Sequence, residues 1–324
     1  MAAAAAILLW LLFSIWPSWL EDAVGSKKIF LNSFFNGVTL GGLYFLVASG
    51  FTLIFGLMRN VNLAHGSLYL LGGYVGYEFA TLTGYWLLAF PASFIVVAAL
   101  GVFMQIFVFR PIEGQELRQT LVTIGISIVV SDLLLWVWGG DFYSISPPSW
   151  LIGPTDTFFI TSISPSTGEY IYLKYPLVRI VIFLASVVVG IGMWLLLNRT
   201  RVGMIILAGV DDRDMLAATG VRIQFVFVGV FAFGAGLAGV AGVVGGTFQS
   251  IAPGEDIRFL LASLVVVIVG GMGSIPGAAL GALLIGLAEQ IGSVYFPTYA
   301  VVLTFVIMVV VLAFRPQGLM GRAA

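Results

Sequence analysis

The sequence predicts an all-α membrane protein, a polytopic bundle of about ten spanning helices with one re-entrant or broken segment. Of the 324 residues, 60% are hydrophobic and only 9% are charged, and the mean hydropathy is +1.10. Soluble domains carry about 25% charged residues, so lipid must replace water over most of this protein's surface. Apolar runs recur from end to end without a polar stretch long enough for a soluble domain, which predicts one membrane domain.

The composition argues against several other classes of protein. The net charge of −1 does not favour nucleic acid as a partner. The absence of cysteine excludes disulfides and thiolate metal sites, and a single histidine, His65, cannot form a histidine cluster around a metal. An intramembrane enzyme would need a nucleophile with a base beside it, for which one histidine and no cysteine are a poor basis.

The spans follow from the need for about 20 helical residues to cross a hydrocarbon core about 30 Å thick. The first candidate, 2–19, is Ala-rich and is followed by Glu21 and Asp22. A cleaved secretory signal is the alternative, but no basic residue precedes the apolar run. We therefore predict an extra membrane helix and an outer linker over 1–29, followed by the main transmembrane domain over 30–324. Its spans are predicted at 30–57, 63–81, 86–109, 121–138, 177–197, 225–247, 259–269, 277–291 and 299–314.

Two of these spans, 259–269 and 277–291, are short and are separated by the Gly-rich turn 270–277. Each is predicted to be a half-helix or a re-entrant segment, which a membrane protein tolerates only where the segment is buried or lines a cavity. Glycine is frequent elsewhere as well, with Gly-x-x-x-Gly pairs beginning at Gly37, Gly72 and Gly277. We expect these glycines to let helix backbones pack closely, and their density over 234–246 and 270–286 to mark helices around a pathway.

The basic residues predict the orientation, because cytoplasmic connections carry an excess of Lys and Arg. With ten crossings and a cytoplasmic N-terminus, nine of the 14 basic residues fall inside and five outside. All nine inner residues are arginines: Arg59, Arg110, Arg118, Arg199, Arg201, Arg213, Arg222, Arg315 and Arg322. The outer five are Lys27, Lys28, Lys174, Arg179 and Arg258. We therefore expect both termini in the cytoplasm, and loss of the first helix would not change the placement of the other spans.

The connection 139–176 then faces outward. It contains five prolines and several aromatic residues, so we expect it to be ordered and non-helical. Two interpretations stay open: a lid over the bundle, and a docking surface for an external partner.

The inner segment 198–223 is predicted to contain a short helix over 212–219. Asp211 or Asp212 can cap its start, and Gly220 provides a left-handed stop. A surface helix that merely joins two spans is one interpretation; a coupling helix that docks in a groove of a cytoplasmic ATPase is the other. The residues assigned to that contact are Asp211, Asp212, Arg213, Asp214, Met215, Leu216, Ala217, Ala218 and Gly220.

Polar groups within the spans are candidates for a translocation path, because such groups are costly in lipid and tend to face the bundle interior. The candidates are Asn62, His65, Gly66, Ser67, Gly271, Gly273, Ser274 and Glu289. For His65, a hydrogen-bonded packing role is favoured over a catalytic one. Glu78 and Asp132, near span ends, are expected to reach water, whereas Glu289 has no such simple explanation.

Five segments resemble the branched-chain amino acid ABC transporter permease family, in its LivH-type subunit. They are 36–44 (NGVTLGGLY), 50–56 (GFTLIFG), 60–74 (NVNLAHGSLYLLGGY), 270–277 (GGMGSIPG) and 314–319 (FRPQGL), together with the inner segment 198–223. The resemblance extends over about residues 30–322, and the first 25 or so residues have no counterpart in the shorter members.

The resemblance implies a type II ABC importer-like fold with a coupling helix within 199–222. It implies a second related permease subunit, two cytoplasmic ATP-binding subunits and a periplasmic substrate-binding protein as partners. The chain itself would not be an enzyme: ATP and Mg would bind to the partner subunits, and the sequence has no Gly-rich phosphate loop ending in Lys-Ser or Lys-Thr.

The implied activity is the import of branched-chain or related amino acids across the inner (plasma) membrane by alternating access. Relatives that carry urea, short amides or small aromatic acids provide the alternative substrates, which the sequence does not separate. An ion-coupled secondary transporter is the rival from another class, and it would need ion-binding carboxylates or broken helices at the midplane.

Overall fold

The computed structural model describes residues 27–58, 61–163, 170–211 and 213–321. The predicted span at 2–19, with its alternative as a signal, lies outside these residues, as do Arg59, Asn60, Asp212 and Arg322. The α-helices of the described part are α1 (Lys27–Met58), α2 (His65–Thr83), α3 (Trp86–Phe103), α4 (Glu116–Trp138), α5 (Leu177–Arg199), α6 (Arg201–Asp211), α7 (Arg213–Ala218), α8 (Ile223–Phe248), α9 (Glu255–Gly270), α10 (Ile275–Tyr295) and α11 (Ala300–Phe314).

The helical membrane fold is confirmed, and each of the nine predicted spans in the described part coincides with a helix. By length and composition, seven helical stretches of that part could cross a membrane: Lys27–Gly56, Trp86–Ile112, Glu116–Trp138, Leu177–Arg199, Ile223–Phe248, Ile275–Tyr295 and Pro297–Phe314. Helices α2 and α9 are not among them. The span predicted at 86–109 is α3 continued by a π-helical segment, Met104–Phe109.

Helices α1 and α8 form the centre of the bundle. Helix α1 is the most buried of the seven stretches and packs along α10, α8, α5 and α9, whereas α8 packs along α3, α2 and α1. Helices α4 and α11 are the least buried and lie at the periphery. The predicted close packing through glycine is confirmed. A Cβ atom on Gly50 would lie 2.3 Å from the carbonyl oxygen of Gly234, and one on Gly72 would lie 2.3 Å from the Cα of Gly239.

Two helices begin inside the bundle. His65, the first residue of α2, bonds the carbonyl of Val47, and a Cβ on Gly50 would lie 3.3 Å from its ring. Gly50 precedes Met58, the end of α1, by eight residues (58 − 50), or about 12 Å of helix. Helix α2 therefore starts beside the last third of α1, well before the end of that helix.

Helix α9 also begins next to the start of α2, since a Cβ on Gly66 would lie 2.0 Å from the carbonyl oxygen of Asp256. The helices that begin inside the bundle are thus α2 and α9, whose N-termini lie next to each other. The sequence predicted an interrupted membrane helix only within 259–291.

Helices α9 and α10 form an antiparallel pair joined by the Gly-rich turn. The turn is closed by the C-terminal segment, where Leu319 donates to the carbonyl of Val269 at 2.8 Å and Met320 to that of Gly270 at 2.9 Å. Gly271 has a φ of +106°, which favours glycine at this position. Helix α10, with 21 residues, is long enough to cross, so the half-helix or re-entrant interpretation is wrong for the segment predicted at 277–291. Helix α9, with 16 residues, spans only about 24 Å.

The connection after α4 is ordered and mostly non-helical over its described residues, 139–163 and 170–176, as predicted. These residues form a 3-10 turn, Ser149–Leu151, and an antiparallel hairpin of β1 (Pro154–Ile163) and β2 (Tyr170–Pro176), with Pro154 paired to Pro176. Its first part is tied to the bundle, because Tyr143 and Ile251 exchange two backbone hydrogen bonds and Ile145 donates to the carbonyl of Gly246. These contacts agree with the interpretation of the connection as a lid over the bundle. Trp150 and Tyr172 are exposed, so a docking surface for an external partner is also compatible with the structure.

The described part of segment 198–223 contains two short helices. Helix α7, Arg213–Ala218, agrees with the short helix predicted over 212–219, and α6, which precedes it and ends at Asp211, was not predicted. The glycine stop is confirmed, since Gly220 has a φ of +84°. Helix α6 folds back on the end of α5, where a Cβ on Gly203 would lie 2.1 Å from the carbonyl oxygen of Leu196.

The glycine contacts of α8 lead to a test with a matched control in the same helix. A Cβ on Gly242 would lie 2.0 Å from the carbonyl oxygen of Tyr69, whereas one on Gly229 would meet nothing within 4 Å. We expect Gly242→Ala to lower the free energy of unfolding by about 1–3 kcal/mol through overpacking. We expect Gly229→Ala to leave it unchanged or raise it by up to about 1 kcal/mol, because Ala favours the helix. Thermal unfolding in detergent measures both; an equal effect of the two substitutions would contradict the packing assignment.

Candidate translocation site and coupling element

A group of charged and polar side chains joins α1, α9 and α10 inside the bundle. Glu289 of α10 receives a hydrogen bond from the Tyr44 hydroxyl at 2.5 Å and forms an ion pair with Arg258 of α9 at 3.1 Å. Arg258 also forms an ion pair with Glu255 and donates to Gln249, both at 3.2 Å. We call Tyr44, Glu255, Arg258 and Glu289 the charged cluster.

The charged cluster lies near the middle of the membrane-spanning region, because Tyr44 is close to the midpoint of the 32-residue helix α1. Ionisable side chains at such depth are costly and mark functional sites by default. The sequence singled out Glu289 but assigned Arg258 to an outer connection, since the span was predicted to begin at Phe259. In the structure α9 begins at Glu255, so Arg258 lies within the helix. The i, i+3 spacing of Glu255 and Arg258 could have indicated from the sequence that both residues belong to one helix and form an ion pair.

A cavity of about 140 Å³ opens next to the charged cluster. Its polar wall contains Tyr44, Arg258 and Glu289, and its apolar wall is contributed by α9, α10 and α11. The apolar residues are Leu261, Ala262, Val265, Ile285, Val301 and Phe305. Drug-sized ligands occupy pockets of about 300 Å³ or more, so this cavity fits only a small solute. It combines opposite charges with an aliphatic wall.

A larger cavity, of about 310 Å³, lies between α1, α5 and α10. Its lining is almost entirely apolar and includes Gly41, Phe45, Gly190 and Leu280, with no ionisable side chain. A charged or zwitterionic solute would lose its hydration there without gaining a partner. The smaller cavity is therefore the better candidate for a polar solute.

The predicted residues at the start of α2 lie in a closely packed region. His65 is fully buried, bonds the carbonyl of Val47 through Nε2 at 3.0 Å, and packs edge-on against Phe51, as its predicted packing role requires. Asn62 accepts from the backbone N–H of Ala64 at 3.1 Å. Gly66 permits the contact with α9 described above. Their role in a translocation path remains a prediction.

Ser67 belongs to a second polar contact, between α2 and the peripheral helix α4. It shares a hydrogen bond with Ser127 at 2.8 Å, and one turn further along α4 Ser131 donates to the buried carboxylate of Asp256 at 2.5 Å. Sequence reasoning did not single out Asp256, which lies just before the predicted start of its span at Phe259. Glu78 is half-buried and accepts a hydrogen bond from Trp138 at 2.9 Å, and Asp132 is exposed, as expected for residues near span ends.

Gly271, Gly273 and Ser274 lie at the opposite end of α10 from Glu289. Ser274 precedes Glu289 by 15 residues (289 − 274), or about 22 Å of helix. The Ser274 hydroxyl caps α10 by accepting from the N–H of Gly277 at 3.1 Å. The structure therefore does not bring the eight predicted path residues together. It separates them into the start of α2, the Gly-rich turn and the charged cluster.

The predicted coupling residues lie on α6, α7 and the turn that follows, apart from Asp212, which is outside the described residues. Leu216 is buried against the bundle, whereas Met215 is 69% exposed. Helix α7 contacts α6 and the central helix α8, and α6 contacts α1, α5 and α8. A force on this element would therefore reach the middle of the bundle directly.

Another polar group closes the end of the bundle that carries the hairpin. Arg179 and Tyr175 both donate to the side-chain carbonyl of Asn36, Tyr175 at 3.0 Å. The guanidinium of Arg179 lies 5.1 Å from the ring centre of Phe248. Burial raises the pKa of the Tyr175 hydroxyl, so it stays protonated and remains a donor at neutral pH. These contacts fix the hairpin to α1, α5 and α8.

Residues 33–312 match the family described as branched-chain amino acid transport system / permease component. The high-affinity branched-chain amino acid transport system permease protein BraD of Pseudomonas aeruginosa is 32% identical over 305 residues, covering 90% of this chain and 96% of BraD. LivH of Escherichia coli K12, of the same description, is 30% identical over 311 residues, with 90% and 96% covered.

More distant relatives were also found. LivM of Escherichia coli K12, a high-affinity branched-chain amino acid transport system permease protein as well, is 27% identical over 87% of this chain and 68% of LivM. A solved structure, PsaBC from Streptococcus pneumoniae in complex with Fab, aligns with a TM-score of 0.48 at 10% identity, over 87% of this chain and 91% of that one. The family match covers most of the chain, and BraD and LivH match over nearly their whole length. The chain belongs to the branched-chain amino acid transport system permease family.

Proposed function

We propose that the chain is the transmembrane permease subunit of an ATP-driven importer, and that it passes branched-chain or related amino acids from a periplasmic binding protein to the cytoplasm. The observation that carries the proposal is the family match over residues 33–312. The near full-length similarity to BraD and LivH agrees with it.

The proposed complex contains a second related permease subunit, two cytoplasmic ATP-binding subunits and a periplasmic binding protein. The existence of LivH and LivM, two related permease proteins with the same description in one organism, supports a pair of permease subunits. ATP and Mg would bind to the ATP-binding subunits, and this chain would not catalyse a reaction. The complex would lie in the inner membrane with both termini of this chain in the cytoplasm.

In the proposed mechanism, α6 and α7 transmit movement of the ATP-binding subunits to the bundle. Their contacts with α1, α5 and α8 support this role, because the two central helices receive the displacement without an intervening loop. Packed helices switch between discrete arrangements rather than deforming continuously. A shift of α8 against α1 is therefore the step that would open the pathway alternately to the two sides.

One observation favours the rival, an ion-coupled secondary transporter. Glu255 and Glu289 lie at mid-depth near the interior starts of α2 and α9, which is an arrangement found at ion and substrate sites of such transporters. The two functions differ in their energy source, which is ATP hydrolysis for the importer and an ion gradient for the secondary transporter.

Reconstituted transport tests the proposal. Proteoliposomes containing this chain with its neighbouring permease, ATP-binding and binding proteins should accumulate radiolabelled leucine only when ATP reaches the cytoplasmic side. A substitution that abolishes ATP hydrolysis in the partner subunits should reduce uptake to the background level. Uptake that continues without hydrolysis and follows an ion gradient would establish the rival function, and uptake of urea or short amides in place of leucine would change the substrate class.

A second test concerns α7. We expect Met215→Asp to reduce co-purification of the ATP-binding subunits at least about tenfold, which corresponds to about 1.4 kcal/mol, because a charge replaces an exposed apolar contact. Met320→Asp is the matched control, since Met320 is also exposed but lies in the C-terminal segment. The thermal unfolding of both variants should match that of the unsubstituted chain. Normal co-purification of the Met215 variant would contradict docking through α7.

A further inference from the structure

We propose that the charged cluster and its cavity form a subsite that receives an amino-acid zwitterion at mid-membrane. The inference rests on the proposed transport function and adds the residues and the charge class of the solute. It distinguishes amino acids from the urea, amide and aromatic-acid alternatives.

The cavity wall carries charges of both signs. Arg258 and Glu289 place a cation and an anion within one hydrogen-bonded group, Glu255 provides a second carboxylate to Arg258, and Tyr44 donates a hydroxyl to Glu289. The Arg258 side chain is 39% exposed, so its guanidinium remains accessible from the cavity. A solute carboxylate matches this guanidinium, and a solute ammonium matches the Glu289 carboxylate. Both solute charges thus find a partner on one wall.

Net charge is costly in a lipid environment. A zwitterion brings equal and opposite charges, so it can exchange partners with the Arg258–Glu289 ion pair without adding an unpaired ion. A solute with only a carboxylate would add a third anion beside Glu255 and Glu289, which have one cation, Arg258, between them. A solute with only an ammonium would displace Arg258 from Glu289 without bringing it an anion in exchange, and Arg258 would keep Glu255 as its ionic partner. Urea and short amides bring neither charge, and they could not replace the ion pair that they disturb. The cluster therefore selects for the zwitterion.

The rest of the cavity lining is mostly apolar. Leu261 and Val265 of α9, Ile285 of α10, and Val301 and Phe305 of α11 provide an aliphatic and aromatic surface in the same cavity as the charges. A branched aliphatic side chain can pack there while the charged end of the molecule faces Arg258 and Glu289. The volume of about 140 Å³ suits a solute of amino-acid size. We expect weak, millimolar affinity, since the cluster is already internally paired.

Cysteine protection tests the subsite directly, because the natural chain contains no cysteine. Leu261→Cys places a thiol in the cavity wall, and Leu280→Cys places one in the larger apolar cavity as the control; the native leucines are 44% and 49% exposed. The rate of alkylation is measured in the assembled permease–ATPase complex without the binding protein. Leucine should slow the reaction at position 261 about threefold or more, as the factor 1 + [L]/Kd requires, and should leave position 280 unchanged.

Two leucine analogues separate zwitterion recognition from simple filling of the cavity. Isocaproate keeps the side chain and the carboxylate but lacks the ammonium, and isoamylamine keeps the side chain and the amine but lacks the carboxylate. Neither should protect position 261 at the concentration at which leucine does. Equal protection by either analogue, or no protection by leucine, would overturn the proposal.

Substitution of the cluster provides an independent measurement. Glu289→Gln should abolish leucine protection of the cysteine at 261 and reduce ATP-driven leucine uptake at least about tenfold. The control is Glu78→Gln, because Glu78 is bound to Trp138 away from the cavity and its loss should leave both readings unchanged. Tyr44→Phe provides a milder variant if the Glu289 substitution prevents assembly, with protection expected to weaken by about threefold.

The results separate the subsite from the transport function. Normal ATP-driven leucine uptake by the Glu289→Gln complex would reject the subsite and leave the transport function intact. Absence of ATP-driven uptake in the unsubstituted complex would reject the transport function. In that case, lack of leucine protection would reject the subsite as well, whereas leucine protection that analogues do not reproduce would still support it.

Discussion

The close backbone contact of α1 with α8 and α10 is the constraint on which the rest of the structure depends. In lipid, helices gain no hydrophobic free energy by associating, so stability must come from close van der Waals contact. Gly50 and Gly234 provide that contact on one side of α1, and Gly37 and Gly41 provide it against α10. A side chain at any of these positions would push the central helices apart.

The closely packed bundle encloses helix N-termini and charged side chains in its interior. Helix α2 starts beside Val47 rather than at the end of α1, and α9 starts beside Gly66. Interior helix starts expose backbone N–H groups that would be unpaired in lipid, so they persist only where protein surrounds them. The same enclosure gives Arg258 and Glu289 partners on three helices. The charged cluster is therefore a consequence of how tightly the centre is packed.

The sequence predicted the helices well, because runs of apolar residues report membrane spans directly. It could not predict depth: hydropathy places Arg258 at a span end, and only the fold brings it beside Tyr44 and Glu289. The position of the start of α2 along the chain was predicted within two residues, but its depth in the bundle was missed for the same reason. Helix α6 was missed although residues 201–211 are amphipathic in sequence, because the prediction placed the helix of this segment only after Asp211.

The proposed coupling element, α6 and α7, contacts the central helices, and one of these helices carries a residue of the charged cluster. Helix α7 contacts α8, and α6 contacts α1, the helix that carries Tyr44. Tyr44 and Arg258 hold Glu289 from two different helices, so displacement of α1 relative to α10 must break or lengthen at least one of these bonds. A hydrogen bond weakens steeply once its geometry is lost. Movement of α6 and α7 would therefore alter the affinity of the proposed subsite for a charged solute, which is the differential interaction that the proposed alternating access requires.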